Sequence, residues 1–250
     1  MTADPLDLTT TRALIAHTPG IMGAGIARRL REAGARVMSD LPVAPGADPR
    51  MAIAGAVDAA DQELGGVNAL VVGWGAEGAG GLLAASDEEI IGQIRANVEE
   101  PLWWIQSVIL AVERRRATGR IVVLSSVGGI APSRDGLLFA VTQAAVQTIA
   151  RVAALEQGRA VQVNTLALGW CEDGPQSRVL ERPGTREWVT EDIPTAHVTR
   201  VEEVADACAF LLSQAQRSLN GEIVRLDGGY SLTRGSRPSP WPAGGPGPAP

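Results

Sequence analysis

The sequence predicts an α/β fold, a doubly wound parallel sheet with helices on both faces, and three observations carry that expectation. Short apolar runs of strand length recur from Ala13 onward and alternate with longer amphipathic stretches. The runs are continuous rather than alternating, as in strands buried on both faces. The stretches between them are long enough for the helical crossovers that parallel neighbours require.

The elements follow in order. Ala13-Leu14-Ile15-Ala16 reads as a buried strand, Gly20 to Gly23 as a turn, and Ile26 to Ala33 as a helix ended by Gly34. Ala35-Arg36-Val37-Met38 is the second strand, Met51 to Leu64 a helix, and Ala69 to Val72 a strand stopping at Gly73-Trp74-Gly75. One long helix is expected from about Asp87 to Arg116, then a strand at Arg120 to Leu124 that ends on Ser125-Ser126. Phe139 to Gln157 is helical, Val161 to Leu166 a strand, Val201 to Ser213 a helix, and Glu222 to Leu226 the last strand. Residues 1–230 are thus expected to form a single domain. Residues 231–250 hold six of the 16 prolines without apolar periodicity and read as a disordered tail.

Composition narrows the function. A formal charge of −6 without a dense basic stripe argues against nucleic acid. Cys171 and Cys208 lack metal-ligand or disulfide-framework spacing, so no metal is expected. The apolar runs are shorter than a membrane span and the first residues lack signal-peptide character, which predicts a cytoplasmic protein. All 22 basic residues are arginine, and the one tyrosine is Tyr230. Chemistry that needs a lysine is excluded.

Several segments together resemble the short-chain dehydrogenase/reductase family over nearly all of residues 8–230. Gly119-Arg120-Ile121-Val122-Val123-Leu124-Ser125-Ser126 is similar to its serine-bearing strand, and Asn97 falls where the family carries an asparagine. Val163-Asn164-Thr165-Leu166-Ala167-Leu168-Gly169 resembles the strand ending in Pro-Gly, and Asn220 to Gly229 the closing strand. The resemblance implies a Rossmann-like sheet, here without the usual third strand, because Asp40 to Arg50 is too short to hold it. It also implies a site: a serine holding the substrate oxygen, a tyrosine general acid/base 13 positions later, and a lysine four further on. Counting from Ser126 reaches Phe139 and Gln143, neither of which transfers a proton.

The cofactor loop departs from the family as well. Its Thr-Gly-x-x-x-Gly-x-Gly falls on Ala16 to Gly23, where only Gly23 matches, so His17 and Ile21 are expected in the space of the phosphates. Trp74 replaces a small residue near the cofactor, Asp173 and Glu172 bring charges that repel phosphate, and Asp40 falls one position early for a ribose acid. Halohydrin dehalogenases, which fill this loop, are similar in part, with Ile21 in the place of their aromatic residue. The expectation is therefore no cofactor, a degenerate site at His17, Ile21, Gly23, Asp40, Trp74 and Asp173, and a fold that has lost nicotinamide redox chemistry. Such a chain would serve as a ligand-binding or partner subunit. One alternative is a cofactor-independent, redox-neutral enzyme (cyclisation, dehydration, isomerisation or dehalogenase-like) on a small hydrophobic metabolite, using His17, Cys171, Glu172 or Asp173. Another is residual NAD(P)H-dependent reduction through Ser126 and Asn97. Trp103 and Trp104, on a helix the family uses for association, predict a homo-oligomer or a hetero-oligomer with an intact relative.

Overall fold

Among the described residues six strands, all parallel, form one sheet in the order β2-β1-β3-β4-β5-β6. They are β1 (Arg12–Ala16), β2 (Arg36–Ser39), β3 (Ala69–Val72), β4 (Gly119–Ser126), β5 (Val161–Leu168) and β6 (Ile223–Leu226). The computed structural model describes residues 6–18, 20–39, 41, 48–74, 81–133, 136–173 and 177–233. Asp40, Gly75 and residues 234–250 lie outside the described residues. Strand order reverses between β1 and β3, so the crevice where such sheets bind ligands opens at the C-terminal ends of these two strands.

Each face of the sheet has its own core. On one, α1 (Gly20–Glu32) and α8 (Val201–Leu212) bury Ile26, Leu30, Val204 and Cys208 against Ile15, Val71, Val122 and Leu166. The two helices lie unusually close because residue 25 is glycine: a Cβ there would fall 2.3 Å from Cγ1 of Val201. On the other face, α2 (Pro49–Leu64), α4 (Glu100–Arg114) and α5 (Leu137–Gln157) cover Leu14, Leu70, Ile121 and Val163. Asp48 caps α2 through the Met51 amide at 3.1 Å, Pro49 opens the helix, and left-handed Gly65 closes it.

Three expectations need correction. Gly20 to Gly23 is the first turn of α1 rather than a turn before it. The expected helix from Asp87 to Arg116 is broken into α3 (Asp87–Ile94), a π-helical segment at Arg95–Glu99, and α4. The chain beyond Tyr230 is not wholly a tail, since Tyr230–Thr233 forms a last helical turn, α9. Two polar helices past β5, α6 (Ser177–Leu180) and α7 (Thr185–Asp192), were not anticipated; Val179, Leu180, Val189 and Ile193 pack with Trp170 in a separate small core. By length and composition α5 could cross a membrane, yet it packs on the sheet through Val146, Ala150 and Ala154.

Candidate functional site

β4 delivers two serines to the ligand end of the sheet, and α5 clamps both. Gln143 Oε1 accepts from the Ser125 hydroxyl at 2.9 Å and from the Ser126 amide at 3.1 Å. Gln147, one turn further along the same face, donates to Ser125 Oγ at 3.0 Å and to the Ser126 carbonyl at 2.9 Å. Ser125 and Gln143 are fully buried. Gln143 Nε2 has no hydrogen-bond partner among the described residues, so this amide braces the strand end with its oxygen while its nitrogen is left over. Ser126 is half-buried; its Oγ accepts from the Gly128 amide at 3.0 Å, and its own proton has no acceptor among the described residues.

Asn97 lies in the π segment, where the extra residue in the turn points its amide at Gln93 Oε1 (2.8 Å) and Thr142 Oγ1 (3.3 Å). Thr142 in turn donates to the Phe139 carbonyl at 3.0 Å. Phe139 meets Trp74 edge to face, with centroids 6.4 Å apart. Trp74 is buried in the core that also holds Leu168 and Cys171, so the indole belongs to the floor of the crevice. Gln143 thus bonds the Ser126 amide at the end of β4, while Asn97 and Phe139 meet through Thr142 on α5.

The loop after β1 differs from expectation. Ile21 is 65% exposed and does not fill the crevice. His17, in a left-handed conformation (φ 56°), has Nε2 2.6 Å from the Ala96 carbonyl and Nδ1 3.3 Å from Glu100 Oε2, which ties the loop to the π segment. Asp173, by contrast, does meet the start of α1. Its Oδ2 accepts from the Met22 amide at 2.5 Å, and its Oδ1 would lie 3.0 Å from a Cβ at Gly20. A carboxylate from the loop after β5 thus takes the helix N-terminus, where backbone N–H groups and the helix dipole favour an anion.

The other side chains considered for catalysis are not brought together. Burial, reinforced by the charges of Asp173 and Glu172, pushes the Cys171 thiol up to about 11, so it is no thiolate nucleophile near neutral pH. Glu172 is exposed and pairs with Arg186 at 3.3 Å. His17 takes Glu100 as its acid, a partner not anticipated because it lies far along the chain. Trp104 is a core residue, and Trp103 is half-buried.

A family profile described as Enoyl-(Acyl carrier protein) reductase matches residues 47–231, well over half of the chain. The chain belongs to the short-chain dehydrogenase/reductase family. Among its relatives, galactitol 2-dehydrogenase (L-tagatose-forming) of Cereibacter sphaeroides is 29% identical over 59% of either chain. Gluconate 5-dehydrogenase of Gluconobacter oxydans is 30% identical over 47% of this chain and 46% of its own. Over a longer span, 4-formylbenzenesulfonate dehydrogenase of Comamonas testosteroni is 26% identical across 91% of this chain and all of its own. Several curated relatives are thus matched over only about half of their length. A gluconate 5-dehydrogenase from Burkholderia cenocepacia, solved with NADP and tartrate, superposes with a TM-score of 0.76 at 22% identity, covering 92% and 99% of the two chains. A short-chain type dehydrogenase/reductase from Mycobacterium marinum gives 0.80 at 22%, covering 91% and 98%.

These relatives overturn two expectations: that the chain has lost nicotinamide redox chemistry, and that it takes no cofactor. The relatives named here are dehydrogenases and reductases, and one solved neighbour holds NADP. The physical reason for the misreading is visible in the loop. Of the groups expected to oppose a diphosphate, Ile21 points to solvent, His17 is bound to the π segment and Glu172 pairs with Arg186, which leaves the Asp173 carboxylate at the start of α1.

Proposed function

We propose that the chain is an NAD(P)-dependent oxidoreductase acting on the carbonyl/alcohol pair of a small apolar substrate. The observation that carries this reading is the Asp173 carboxylate on the Met22 amide: the start of α1 accepts an anion with the backbone it has, at the place where this fold seats a dinucleotide diphosphate. The backbone around Gly20 and Gly23, with the Met22 amide, would hold that group once Asp173 withdraws. A bound nicotinamide supplies or accepts the hydride.

The chain's own residues do the rest. Ser126 donates a hydrogen bond from its uncommitted hydroxyl to the substrate oxygen and keeps its proton, held in place by the Gly128 amide and the Gln143 and Gln147 brace. In this reading Phe139 and Gln143 stand at the family's tyrosine and lysine positions and transfer no proton. On reduction, the carbon gains the hydride and the oxygen takes its proton from water; on oxidation both are returned. Asn97 positions α5 through Thr142 rather than touching substrate. We also place the protein in the cytoplasm and assign association with a second copy to α4 and α5, whose Leu110, Val141, Val152 and Leu155 are exposed.

The test is deuteride transfer. Incubation with C4-deuterated NADH or NADPH and a panel of aldehydes and ketones should give slow reduction, with deuterium on the product carbinol carbon. Ser126→Ala should lower the rate roughly a hundredfold, the usual effect of removing one hydrogen-bond donor to a reacting oxygen. Absence of deuterium transfer from either cofactor across the panel would overturn the reading.

A further inference from the structure

We propose that Asp173 is a built-in competitor for the cofactor diphosphate, closing the α1 N-terminus until an incoming phosphate displaces it. This inference rests on the cofactor-dependent reading above. Three observations carry it. The carboxylate arrives from the loop after β5, 151 residues from its partner, and makes a short bond to Met22 N–H, so it is a tertiary contact rather than a local cap. Gly20 has φ +70°, and a Cβ there would fall 3.0 and 3.1 Å from the two Asp173 oxygens, so the carboxylate sits pressed against a bare backbone surface. Its neighbours are committed elsewhere: Glu172 faces Arg186, Cys171 is buried and bridged to Thr199, and His17 is held by Ala96 and Glu100.

Asp173 and a diphosphate make the same kind of contact with the same amide, so both cannot occupy it. The closed form is the one the fold stabilises, and the apparent affinity for an anion is lowered by the fraction of molecules in which the carboxylate is away. Occupation is exclusive, so cofactor binding and release of the β5 loop from α1 are one event.

The experiment compares wild type, Asp173→Asn and Asp173→Ala, each checked by circular dichroism and thermal melting. Asparagine can keep the cap without the charge, whereas alanine removes both. Binding of NADPH, NADH and inorganic pyrophosphate is measured by calorimetry, and the Met22 amide is followed by nitrogen-15 NMR. The inference expects affinity to rise in the order wild type, Asn, Ala, with a gain of roughly 5- to 30-fold for Ala. It also expects pyrophosphate to move the Met22 resonance in the wild type to its position in the liganded Ala variant. Equal or weaker binding of pyrophosphate and of both dinucleotides in the variants, or no binding of any of the three to any form, would overturn it. If pyrophosphate binds Asp173→Ala more tightly than wild type while neither dinucleotide binds any form, the competitor stands and the cofactor-dependent reading falls.

Discussion

Restoring a proton-handling pair on α5 tests whether its absence limits the rate. The perturbation is Phe139→Tyr with Gln143→Lys, one helical turn apart on a helix clamped to β4. The structure sets its cost. Gln143 is fully buried and accepts two hydrogen bonds, worth about 1 kcal/mol each. Lysine removes that acceptor and brings an ammonium into the same space, where incomplete solvation adds about 1–3 kcal/mol. Ser125 keeps its bond from Gln147, so the brace is weakened and not lost. The total, about 3–5 kcal/mol, corresponds to a melting temperature lower by about 6–20 °C in a protein of this size. Phe139 is half-buried and meets Trp74 only by its edge, so the added hydroxyl costs little. In return, a general acid with a cation beside it should raise carbonyl reduction roughly 10²- to 10⁴-fold. The assay is NADPH oxidation against a ketone panel at 20 °C, with Phe139→Tyr alone as the control lacking a cation. A double variant that is folded and binds NADPH, yet reduces no faster than wild type, would refute the argument that proton supply limits the proposed reduction.

Other predictions concern the scaffold. Gly25→Ala should destabilise by about 1–3 kcal/mol in urea unfolding, because its Cβ would overlap Val201, and Val201→Ala in the same chain should recover most of the loss. Burial pushes the Asp61 carboxyl up, but hydrogen bonds from Arg115 and the Val67 amide and the nearby arginine charges outweigh it and hold the group below its usual range. Asp227 is likewise raised by burial and lowered further by Ser231, Gly229 and Arg225. Both carboxylates therefore stabilise the fold above their unfolded pKa near 4, and that contribution is lost as pH falls through the lower folded values; urea midpoints should drop between about pH 5 and 2, less steeply in Asp61→Asn. Leu155→Asp on the exposed face of α5 should shift light-scattering mass toward the monomer if that face forms an interface of about 1,200 Å² or more.

The sheet was legible because strands buried on both faces announce themselves: Leu70 to Val72 and Ile121 to Leu124 leave no other reading. The six strands expected from the sequence are the six parallel strands of the sheet among the described residues, while most of the link between β2 and α2 lies outside them. What failed to show was whatever depends on contacts distant in sequence. Gly20 and Gly23 read as a turn because glycine disfavours helices, whereas Gly23 lies within the helix hard against Thr18. The helices α6 and α7 are short and polar, and their buried residues face Trp170 rather than the main core. Ser126, Asn97, Phe139 and Gln143 were found by counting along the chain, but the bonding of Gln143 to both serines and of Glu100 to His17 depends on the packing of α4 and α5. Asp173 stood out in the sequence as a charge hostile to phosphate, but its bond to the Met22 amide did not, since a sequence does not say which amide a carboxylate will find.

The π segment at Arg95–Glu99 works as a phase adjuster. Each residue of an α-helix turns the chain by about 100°, so one residue inserted into a turn rotates everything before it by that amount relative to everything after it. On one side of the insertion Ser86 and Glu89 cap α3; on the other Trp104, Ile105 and Val108 enter the core. Deleting a single residue between 95 and 99 would leave a smoother helix that could satisfy only one of two demands. Either the core residues keep their face and Asn97 loses Gln93 and Thr142, or Asn97 keeps its partners and Trp104 is turned out of the core. The number of residues in this stretch is therefore under tighter constraint than most of their identities, and length variants here should be rarer than substitutions.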